Sequence, residues 1–275
     1  MNVGVVEALW RYPVKSMLGE PLDSVEIGEY GLAGDRAYAL VDQADGKVVT
    51  AKNPKRWPRM FQFSAQFPQP YKENGRPSPV CITLPDGTRI SSDAAEADRV
   101  LSEAMAATVR LETVTDRRQS RVGSISEGYW PDVEWLDDSD STGDFSLAEG
   151  TFFDGGIIHL VTTATLGRLS ALHPGARFDV RRFRPNVVIQ SPPEQVPFAE
   201  QAWIGSTISI GKVQMKVVKV TSRCVMTTLP QSELGRDLNI LRTIVTENSA
   251  KLGVYASVVQ PGIVGLGDAV LVVGD

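Results

Sequence analysis

Short apolar segments that alternate with polar residues, separated by turn signals, are the feature that most constrains this chain. For example, Val80, Ile82 and Leu84 alternate with other residues and are followed by the pair Asp86-Gly87. Alternation with a period of two indicates a strand with one buried face, and an Asp-Gly pair is typical of a tight hairpin turn. Because such segments recur along most of the chain, the sequence predicts a mainly β protein with a few helices, an α+β arrangement. It favours closed or Greek-key barrels over a doubly wound parallel sheet.

One predicted strand has an irregular pattern. Val213, Met215 and Val217 share one face, whereas Val218 and Val220 share the other. This slip in phase predicts either burial on both faces or a β-bulge.

Three segments have the spacing that is typical of helices. The first runs from Asp93 to Ala106, and Asp93 with Glu96 has the form of a capping box. The second begins at Thr163 and stops at Pro174-Gly175. The third is predicted from an apolar stripe that comprises Leu234, Leu238, Leu241 and Val245.

Charge and hydropathy exclude several classes of function. The chain of 275 residues has 28 Lys and Arg against 33 Asp and Glu, a net charge of −5. Nucleic-acid binding needs a basic face, and this balance argues against one. No run of about 18 apolar residues is present, which argues against a membrane span. Residues 1–16 lack the apolar core of a secretory signal.

Cysteine is scarce in this chain. Cys81 and Cys224 are the only two cysteines, which excludes a disulfide scaffold and any zinc or iron–sulfur site that takes four thiolates from this chain. A reducing, cytoplasmic setting is therefore expected. Any metal bound here would have very few protein ligands.

Two clusters near the N-terminus have the chemistry of anion binding. In the first, Lys15 and Ser16 follow a strand and a proline-set turn, so that an ammonium and a hydroxyl group meet in one loop; an exposed loop is the alternative. In the second, the glycines of 31–34 permit a tight turn. There Asp35 can orient a neighbour and Arg36 can make a bidentate contact to phosphate.

A third cluster precedes a predicted buried strand. Arg181, Arg182 and Arg184 fall within four residues and are followed by Pro185-Asn186. The chain as a whole is acidic, so this local concentration of guanidinium groups predicts a cationic pocket. A solvated basic edge is the alternative.

A fourth cluster surrounds one of the two thiols. Cys224 follows a predicted core strand, with Ser222 and Arg223 before it and two threonines after it. A neighbouring cation and nearby hydroxyls are the surroundings of a functional thiolate. Cys81 lies inside an alternating strand without such neighbours and is interpreted as structural.

Other polar residues have structural interpretations beside functional ones. Thr163 and Thr165 lie at a predicted helix start, where free N–H groups suit phosphate but simple capping is the stronger interpretation. His159 is interpreted as a core residue and His173 as a helix-end or surface residue. The acidic run at 137–140 is interpreted as solvated rather than as a cation site.

Taken in order, the four clusters resemble the MOSC family, named after the molybdenum cofactor sulfurase C-terminal domain. Residues 12–16 and the Gly-Asp-Arg turn at 34–36 look like its N-terminal β-barrel domain, and 182–186 and 222–228 look like the MOSC domain itself. The resemblance implies an N-terminal β-barrel domain over 1–118. It implies a MOSC β-barrel domain over 119–275, in which 119–150 is a variable loop.

The resemblance also implies a cofactor and the residues that hold it. In this family a cysteine thiolate binds molybdenum that is chelated by the dithiolene of a pterin, and Cys224 matches that metal ligand and catalytic residue. Ser222 and Arg223 flank the thiol and are expected to contact the cofactor. The other expected cofactor-binding residues are Lys15, Ser16, Arg36, Thr163, Thr165, Arg182, Arg184 and Asn186.

The family members that this chain resembles include the amidoxime-reducing components. The resemblance implies a molybdenum cofactor-dependent oxidoreductase that reduces small N-oxygenated, N-hydroxylated compounds. Electrons are expected from a separate ferredoxin or flavin reductase, because two cysteines cannot hold a four-cysteine cluster. One alternative is a sulfur carrier with a persulfide on Cys224, and another is a pyridoxal phosphate-binding module that uses Lys15.

The chain departs from the family pattern after the thiol motif. Many relatives have an Asp-Pro step after the two threonines, whereas this chain has Leu229, Pro230 and Gln231 there. The absence of this acidic residue bears on the predicted substrate pocket more than on the predicted cofactor site.

Overall fold

A computed structural model gives the structure of this protein and describes residues 1–72, 76–119, 126–129 and 143–273. The strands are β1 (Asn2–Arg11), β2 (Glu20–Leu22), β3 (Ser24–Gly28), β4 (Gly31–Leu32), β5 (Tyr38–Asp42), β6 (Ser64–Gln66), β7 (Cys81–Thr83), β8 (Arg89–Ser91), β9 (Val109–Thr113), β10 (Ser126–Tyr129), β11 (Gly143–Ser146), β12 (Ile158–Thr162), β13 (Val187–Gln190), β14 (Thr207–Ile210), β15 (Val213–Ser222), β16 (Lys251–Gln260), β17 (Gly262–Gly265) and β18 (Ala269–Val273). The α-helices are α1 (Ala97–Met105), α2 (Val114–Gln119), α3 (Thr163–Leu172) and α4 (Asn239–Asn248). Short 3₁₀ helices lie at Met60–Gln62, Val180–Phe183, Ala199–Trp203 and Val225–Thr228.

Seven strands form a closed barrel that takes its first strand from the N-terminus. The hydrogen-bonded order is β1, β13, β12, β16, β15, β14 and β18, and β18 pairs with β1 again. Leu9 of β1 is opposite Val187 of β13, and Val5 is opposite Ala269 of β18. A closed barrel has no free sheet edge, so β1 completes the sheet that the C-terminal strands begin.

The barrel interior is filled by the inward-facing residues of these strands. Ile208, Met215, Val254 and Val270 are fully buried in this core, as the alternation of apolar residues along each strand requires. The parallel pair β12 and β13 is connected through α3. The segment that enters β13 therefore lies beside the end of β12.

A second apolar core belongs mostly to residues 14–114. It contains Phe63, Ile82 and Leu101, and Leu147, Phe152 and Met226 from later in the chain complete it. Here the strands form smaller sheets, β5 with β9 and β6 with β7 and β8. Met226 joins this core from the loop that follows the thiol, so that loop lies between the two cores.

The mainly β architecture with a few helices is confirmed. β7 and β8 form the hairpin predicted at Asp86-Gly87. The irregular strand contains a β-bulge, because its register against β16 shifts between Val217 and Lys219. Val218 and Lys219 are consequently both exposed.

Two helix predictions were wrong in detail. α1 begins at Ala97, and Glu96 is its N-cap residue with no side-chain capping bond. Asp93 instead accepts a hydrogen bond from the Ser91 hydroxyl, so the predicted capping box does not form. α4 begins at Asn239, which leaves Leu234 outside the helix.

The apolar stripe of α4 also differs from the predicted one. Its buried residues are Ile240, Leu241 and Ile244, whereas Val245 is exposed. The predicted stripe began at Leu234, which precedes the helix. The predicted buried face of α4 was therefore rotated relative to the observed one.

The division between the two domains at residue 118 stays a prediction. The interpretation of the acidic run at 137–140 as solvated also stays a prediction, because this run lies outside the described residues. Across the described ranges, the helices are all too short or too polar to cross a membrane.

Candidate functional site

A cavity of about 430 Å³ lies where the end of β15, the segment before β12 and the segment before β13 meet. Binding sites for small molecules have volumes of about 300–1,000 Å³. Most of the predicted site residues line this cavity: Arg36, Arg182, Arg184, Asn186, Ser222, Arg223 and Cys224. The structure thus brings three of the four sequence clusters to one place.

Cys224 lies between the end of β15 and the 3₁₀ helix Val225–Thr228. It is half-buried, and its carbonyl oxygen accepts hydrogen bonds from the backbone N–H of Thr227 at 3.2 Å and from the Thr227 hydroxyl at 3.0 Å. The thiol makes no capping bond to this helix. The residue packs against the edge of the second apolar core and lines the cavity. Cys81 lies on β7, away from the cavity.

Arg182 stabilises the loop that follows Cys224 through hydrogen bonds to its backbone. Its guanidinium donates to the carbonyl oxygens of Thr227 at 3.2 Å, Leu229 at 3.1 Å and Gly235 at 2.8 Å, and its Nε donates to Arg177 at 3.0 Å. Only 2% of the residue is exposed. Because these donors bond to backbone carbonyls, the geometry gives Arg182 a structural task, and its contact with a cofactor stays a prediction.

Arg36, Arg184 and Arg223 line one side of the cavity, and we refer to them as the arginine wall. Arg36 and Arg184 both lie over the ring of Tyr12, with guanidinium carbons 4.6 and 4.2 Å from its centroid. Cation–π contacts of this kind hold two like charges close together. Burial, and after it the charge of Arg36, lowers the pKa of Arg184 to about 10, so its guanidinium stays charged at neutral pH.

The backbone at two of these arginines is in an uncommon conformation. Arg36 has φ 48° and Arg184 has φ 52°, in the left-handed region that residues other than glycine rarely adopt. Ser16, another predicted site residue, has φ 62°. Such conformations cost about 1–3 kcal/mol each and cluster at functional sites.

Asp35 and Asn186 orient the arginine wall. One carboxylate oxygen of Asp35 accepts from the backbone N–H of Tyr12 at 2.8 Å, and the other accepts from the Asn186 amide at 2.9 Å and pairs with Arg36. The Asn186 side-chain oxygen accepts from the backbone N–H of His159 at 3.0 Å. Asp35 therefore couples the N-terminal turn to the segment that enters β13.

Arg223 occupies the part of the wall next to the thiol. Its Nη2 donates to the Phe183 carbonyl at 2.8 Å, and its Nη1 lies 3.5 Å from Nε2 of His159. Burial, followed by the charge of Arg223, holds the pKa of His159 well below its ordinary value. The imidazole is therefore neutral. Arg223 Nε is buried and has no hydrogen-bond partner among the residues the structure describes.

Lys15, Lys52, Glu127 and Asp154 form a lysine–carboxylate cluster at the edge of the cavity. Lys15 Nζ lies 2.5 Å from Asp154 and 3.3 Å from Glu127, and Lys52 Nζ lies 2.9 and 2.5 Å from the same two residues. Burial acts to raise the pKa of Asp154, but the two lysines outweigh it and hold that pKa well below its ordinary range. Burial likewise acts to lower the pKa of Lys52, and the carboxylates outweigh it and raise that pKa.

Four predicted site residues do not line the cavity. Lys15 is buried behind it and donates to the Phe152 carbonyl at 2.9 Å as well as to Asp154, an arrangement that does not favour the pyridoxal phosphate alternative. The Ser16 hydroxyl lies 3.4 Å from that of Thr50. The structure keeps both close to the cavity, in the turn that precedes β2.

Thr163 and Thr165 lie outside the cavity lining and have structural partners. The Thr163 hydroxyl accepts from the backbone N–H of Ser191 at 2.9 Å, and the Thr165 hydroxyl donates to buried Glu200 at 2.9 Å. Thr162 is the N-cap residue of α3, since its hydroxyl accepts from Thr165 N–H at 3.4 Å. The helix is thus capped by Thr162, whereas the Thr163 and Thr165 hydroxyls bond to Ser191 and Glu200 outside the helix.

The predicted site residues did not include Lys52, Asp154, His159 or Tyr255, although all four line the cavity. The pair Gly155-Gly156 was an available signal. A Cβ atom on Gly156 would lie 2.6 Å from the Tyr255 ring, so only glycine permits this close approach.

The side chains that line the cavity fit a ligand that carries both a phosphate group and a soft metal ion. The arginine wall supplies planar cations that suit phosphate, the orphaned Nε of Arg223 lies in the same wall, and a thiolate is a soft metal ligand. Within the described residues, no group of three or more His, Cys, Asp or Glu is placed to hold a metal ion.

The chain belongs to the MOSC family. The profile of the MOSC N-terminal beta barrel domain matches residues 3–120, and the profile of the MOSC domain matches residues 150–271. The match assigned from the four clusters is confirmed by these two domains.

Curated relatives extend along nearly the whole chain. It is 25% identical over 300 residues to mitochondrial amidoxime reducing component 2 of Rattus norvegicus, covering 98% of this chain and 83% of that protein. The protein of the same name from Macaca fascicularis is 24% identical over 308 residues with the same coverage. Among solved structures, the YUAD protein from Bacillus subtilis is 13% identical with a TM-score of 0.47, covering 97% of this chain and 93% of that one.

Proposed function

We propose that this protein is a molybdenum cofactor-dependent oxidoreductase that reduces N-hydroxylated compounds. The observation that carries the proposal is a single half-buried thiol, Cys224, in the lining of the cavity that also holds the three guanidinium groups of the arginine wall. The names of the curated relatives, which are amidoxime reducing components, support the substrate class. They do not favour the sulfur-carrier alternative.

In this proposal the chain binds the cofactor through two kinds of contact. Cys224 is the protein ligand of the metal, and the arginine wall holds the pterin phosphate. Asn186 acts through Asp35, which fixes the guanidinium of Arg36. When bound, the cofactor supplies the two-electron chemistry, and the protein supplies position and charge.

The net reaction consumes two electrons and two protons for each N–O bond that breaks. An N-hydroxylamine becomes an amine: one proton goes to the nitrogen, and the other leaves with the oxygen as water. Among the residues that line the cavity, Lys52 holds a proton at Nζ at neutral pH, whereas Asp154 is ionised. Asp154 therefore orients the Lys52 ammonium rather than supplying a proton itself.

The electron donor is proposed to be a separate ferredoxin or flavin reductase. The sequence has no second thiol cluster and no Gly-x-Gly-x-x-Gly dinucleotide fingerprint. We also propose a cytoplasmic location, and only the low number of cysteines supports it. The curated relatives, by contrast, are named as mitochondrial proteins.

The test starts with protein made in a cell that synthesises the cofactor. Elemental and pterin analysis should find molybdenum and pterin in stoichiometric amounts. An anaerobic assay with a hydroxylamine should then show turnover with reduced viologen and none with NADH alone. Metal-free protein, or sustained turnover with NADH in a preparation free of reductase, would contradict the proposal.

A further inference from the structure

The charges that line the cavity are unequally paired. Asp154 is the only carboxylate in the described lining, and Lys15 and Lys52 both contact it. Arg36 has Asp35, Arg182 has backbone carbonyls, Arg184 has the Met17 carbonyl at 2.5 Å, and Arg223 has the Phe183 carbonyl. Lys219 remains, and no hydrogen bond or ion pair joins its ammonium to another residue in the described parts of the chain.

Lys219 lies at the solvent side of the cavity rather than in its depth. It is exposed, and it lines the cavity together with Tyr255, its register partner on β16. The β-bulge between Val217 and Lys219 breaks the alternation of β15, and bulges commonly re-aim a side chain beside an active site.

The stem of Lys219 passes close to Gly155 and Tyr255. A Cβ atom on Gly155 would lie 3.6 Å from Lys219 Cε and 2.9 Å from the Tyr255 ring. Both side chains therefore pack along the glycine backbone. The ammonium at the end of this exposed side chain has no hydrogen-bond or ion-pair partner among the described residues.

From these observations we propose that Lys219 selects substrates: it favours N-hydroxylated compounds that carry an anionic group, such as a carboxylate, over cationic ones. The inference rests on the proposed function. A substrate carboxylate at the cavity entrance would gain the partner that Lys219 lacks. A cationic group would meet Lys219 with no unpaired carboxylate to offset the repulsion, because Asp154 is shared by two lysines.

The experiment uses three matched probes with the cofactor-loaded protein. These are benzamidoxime, its para-carboxylate derivative and its para-trimethylammonium derivative, assayed with reduced viologen. KM should be lowest for the carboxylate and highest for the trimethylammonium compound, with kcat similar. Added salt should raise KM for the carboxylate probe, because exposed charge pairs are screened.

Lys219→Gln should raise KM for the carboxylate probe about threefold, in the range of an exposed charge interaction, and should change the uncharged probe least. Lys219→Arg keeps the charge and should retain the order of the three probes. Lys212→Gln is the matched control, since Lys212 is an exposed lysine outside the cavity lining. Equal KM values for the three probes, or an equal change for all three in Lys219→Gln, would overturn the inference.

A binding measurement separates this inference from the proposed function. Calorimetric titration of the carboxylate probe without reductant involves no turnover, so it reports on Lys219 even if the protein proves not to be a reductase. Weaker binding in Lys219→Gln but not in Lys212→Gln supports the inference under either outcome. Turnover without any effect of Lys219 on binding contradicts the inference and leaves the proposed function intact.

Discussion

The arginine wall and the lysine–carboxylate cluster border the same cavity and use their cations differently. The wall has three guanidinium groups and one carboxylate, that of Asp35. The cluster has two ammonium groups and two carboxylates, those of Glu127 and Asp154, and is neutral as a whole. Both were assembled from distant parts of the sequence, yet only the wall has positive charge left over for a ligand.

The difference teaches that residue type alone does not reveal whether a cation is available. Lys15 and Arg36 were both assigned to an anion from their sequence surroundings. In the structure Lys15 is fixed by two carboxylates and a carbonyl, whereas Arg36 lies over Tyr12 in the cavity wall. The partners of each side chain decide whether it binds a ligand or stabilises the fold.

Removing the Cys224 thiol, which lies in the same cavity as both regions, should have the largest effect on activity. Cys224→Ala is expected to abolish molybdenum-dependent reduction and leave the fold nearly intact, because the thiol caps no helix and Arg182 holds its loop through backbone carbonyls. Metal analysis, viologen-driven turnover and a thermal melt check this.

Cys81→Ala is the control for that substitution, since Cys81 lies on β7 outside the cavity. It should leave turnover unchanged. Full activity with stoichiometric metal in Cys224→Ala would show that the sulfur is not the ligand.

The next largest effect should come from the wall. Arg36→Ala and Arg184→Ala are each expected to lower cofactor affinity about ten- to hundredfold, since a hydrogen bond to a charged group contributes about 1.5–3 kcal/mol. Cofactor occupancy after dialysis measures this.

Arg182→Ala is a matched contrast two residues away from Arg184. It would leave buried carbonyls without donors, so it should lower the free energy of unfolding by about 3 kcal/mol. A collapse of thermal stability in Arg184→Ala with unchanged occupancy would reverse the roles assigned to these two arginines.

The smallest effect should come from the cluster and is a dependence on pH. The pKa of Asp154 is lowered in the folded protein by Lys15 and Lys52, so its stabilising effect is fully present above the unfolded pKa of about 3.9. That effect is lost as the pH falls through the folded pKa. Because 36% of the Asp154 side chain is exposed, solvent screening keeps the change modest.

Denaturant titrations at pH 7 and at about pH 3 measure this dependence. Asp154→Asn should be less stable than the parent at pH 7, and the difference should shrink at the lower pH. A constant difference across that range would mean that the carboxylate charge does not stabilise the cluster.

Much of the barrel and three of the four clusters of the site could be predicted from local sequence. Alternation gave the strands because one face of each is buried in the barrel, as with Met215 and Val254. The motifs around Arg36, Arg184 and Cys224 were recognisable because each is a short continuous segment that enters the cavity as a unit.

The remaining site residues could not be predicted, because contacts between distant segments of the chain place them in the cavity lining. Lys52, Asp154 and Tyr255 come from separate segments, and the pair Gly155-Gly156 is the local signal that accompanies Asp154 and Tyr255. Arg182 and Arg184 differ only in what surrounds them, since the carbonyls that fix Arg182 come from the loop after Cys224. Contacts of that kind follow from the closed fold and have no signature in sequence spacing.

The closure of the barrel by β1 bears on how the chain folds during synthesis. β1 is made first, and its partners β13 and β18 leave the ribosome much later. The core of residues 14–114 can collapse in the meantime, whereas the barrel must wait for a pairing between distant segments, which is slow. A nascent chain that stalls before β18 would leave β1 and β14 with open edges, and such edges are templates for aggregation with other chains.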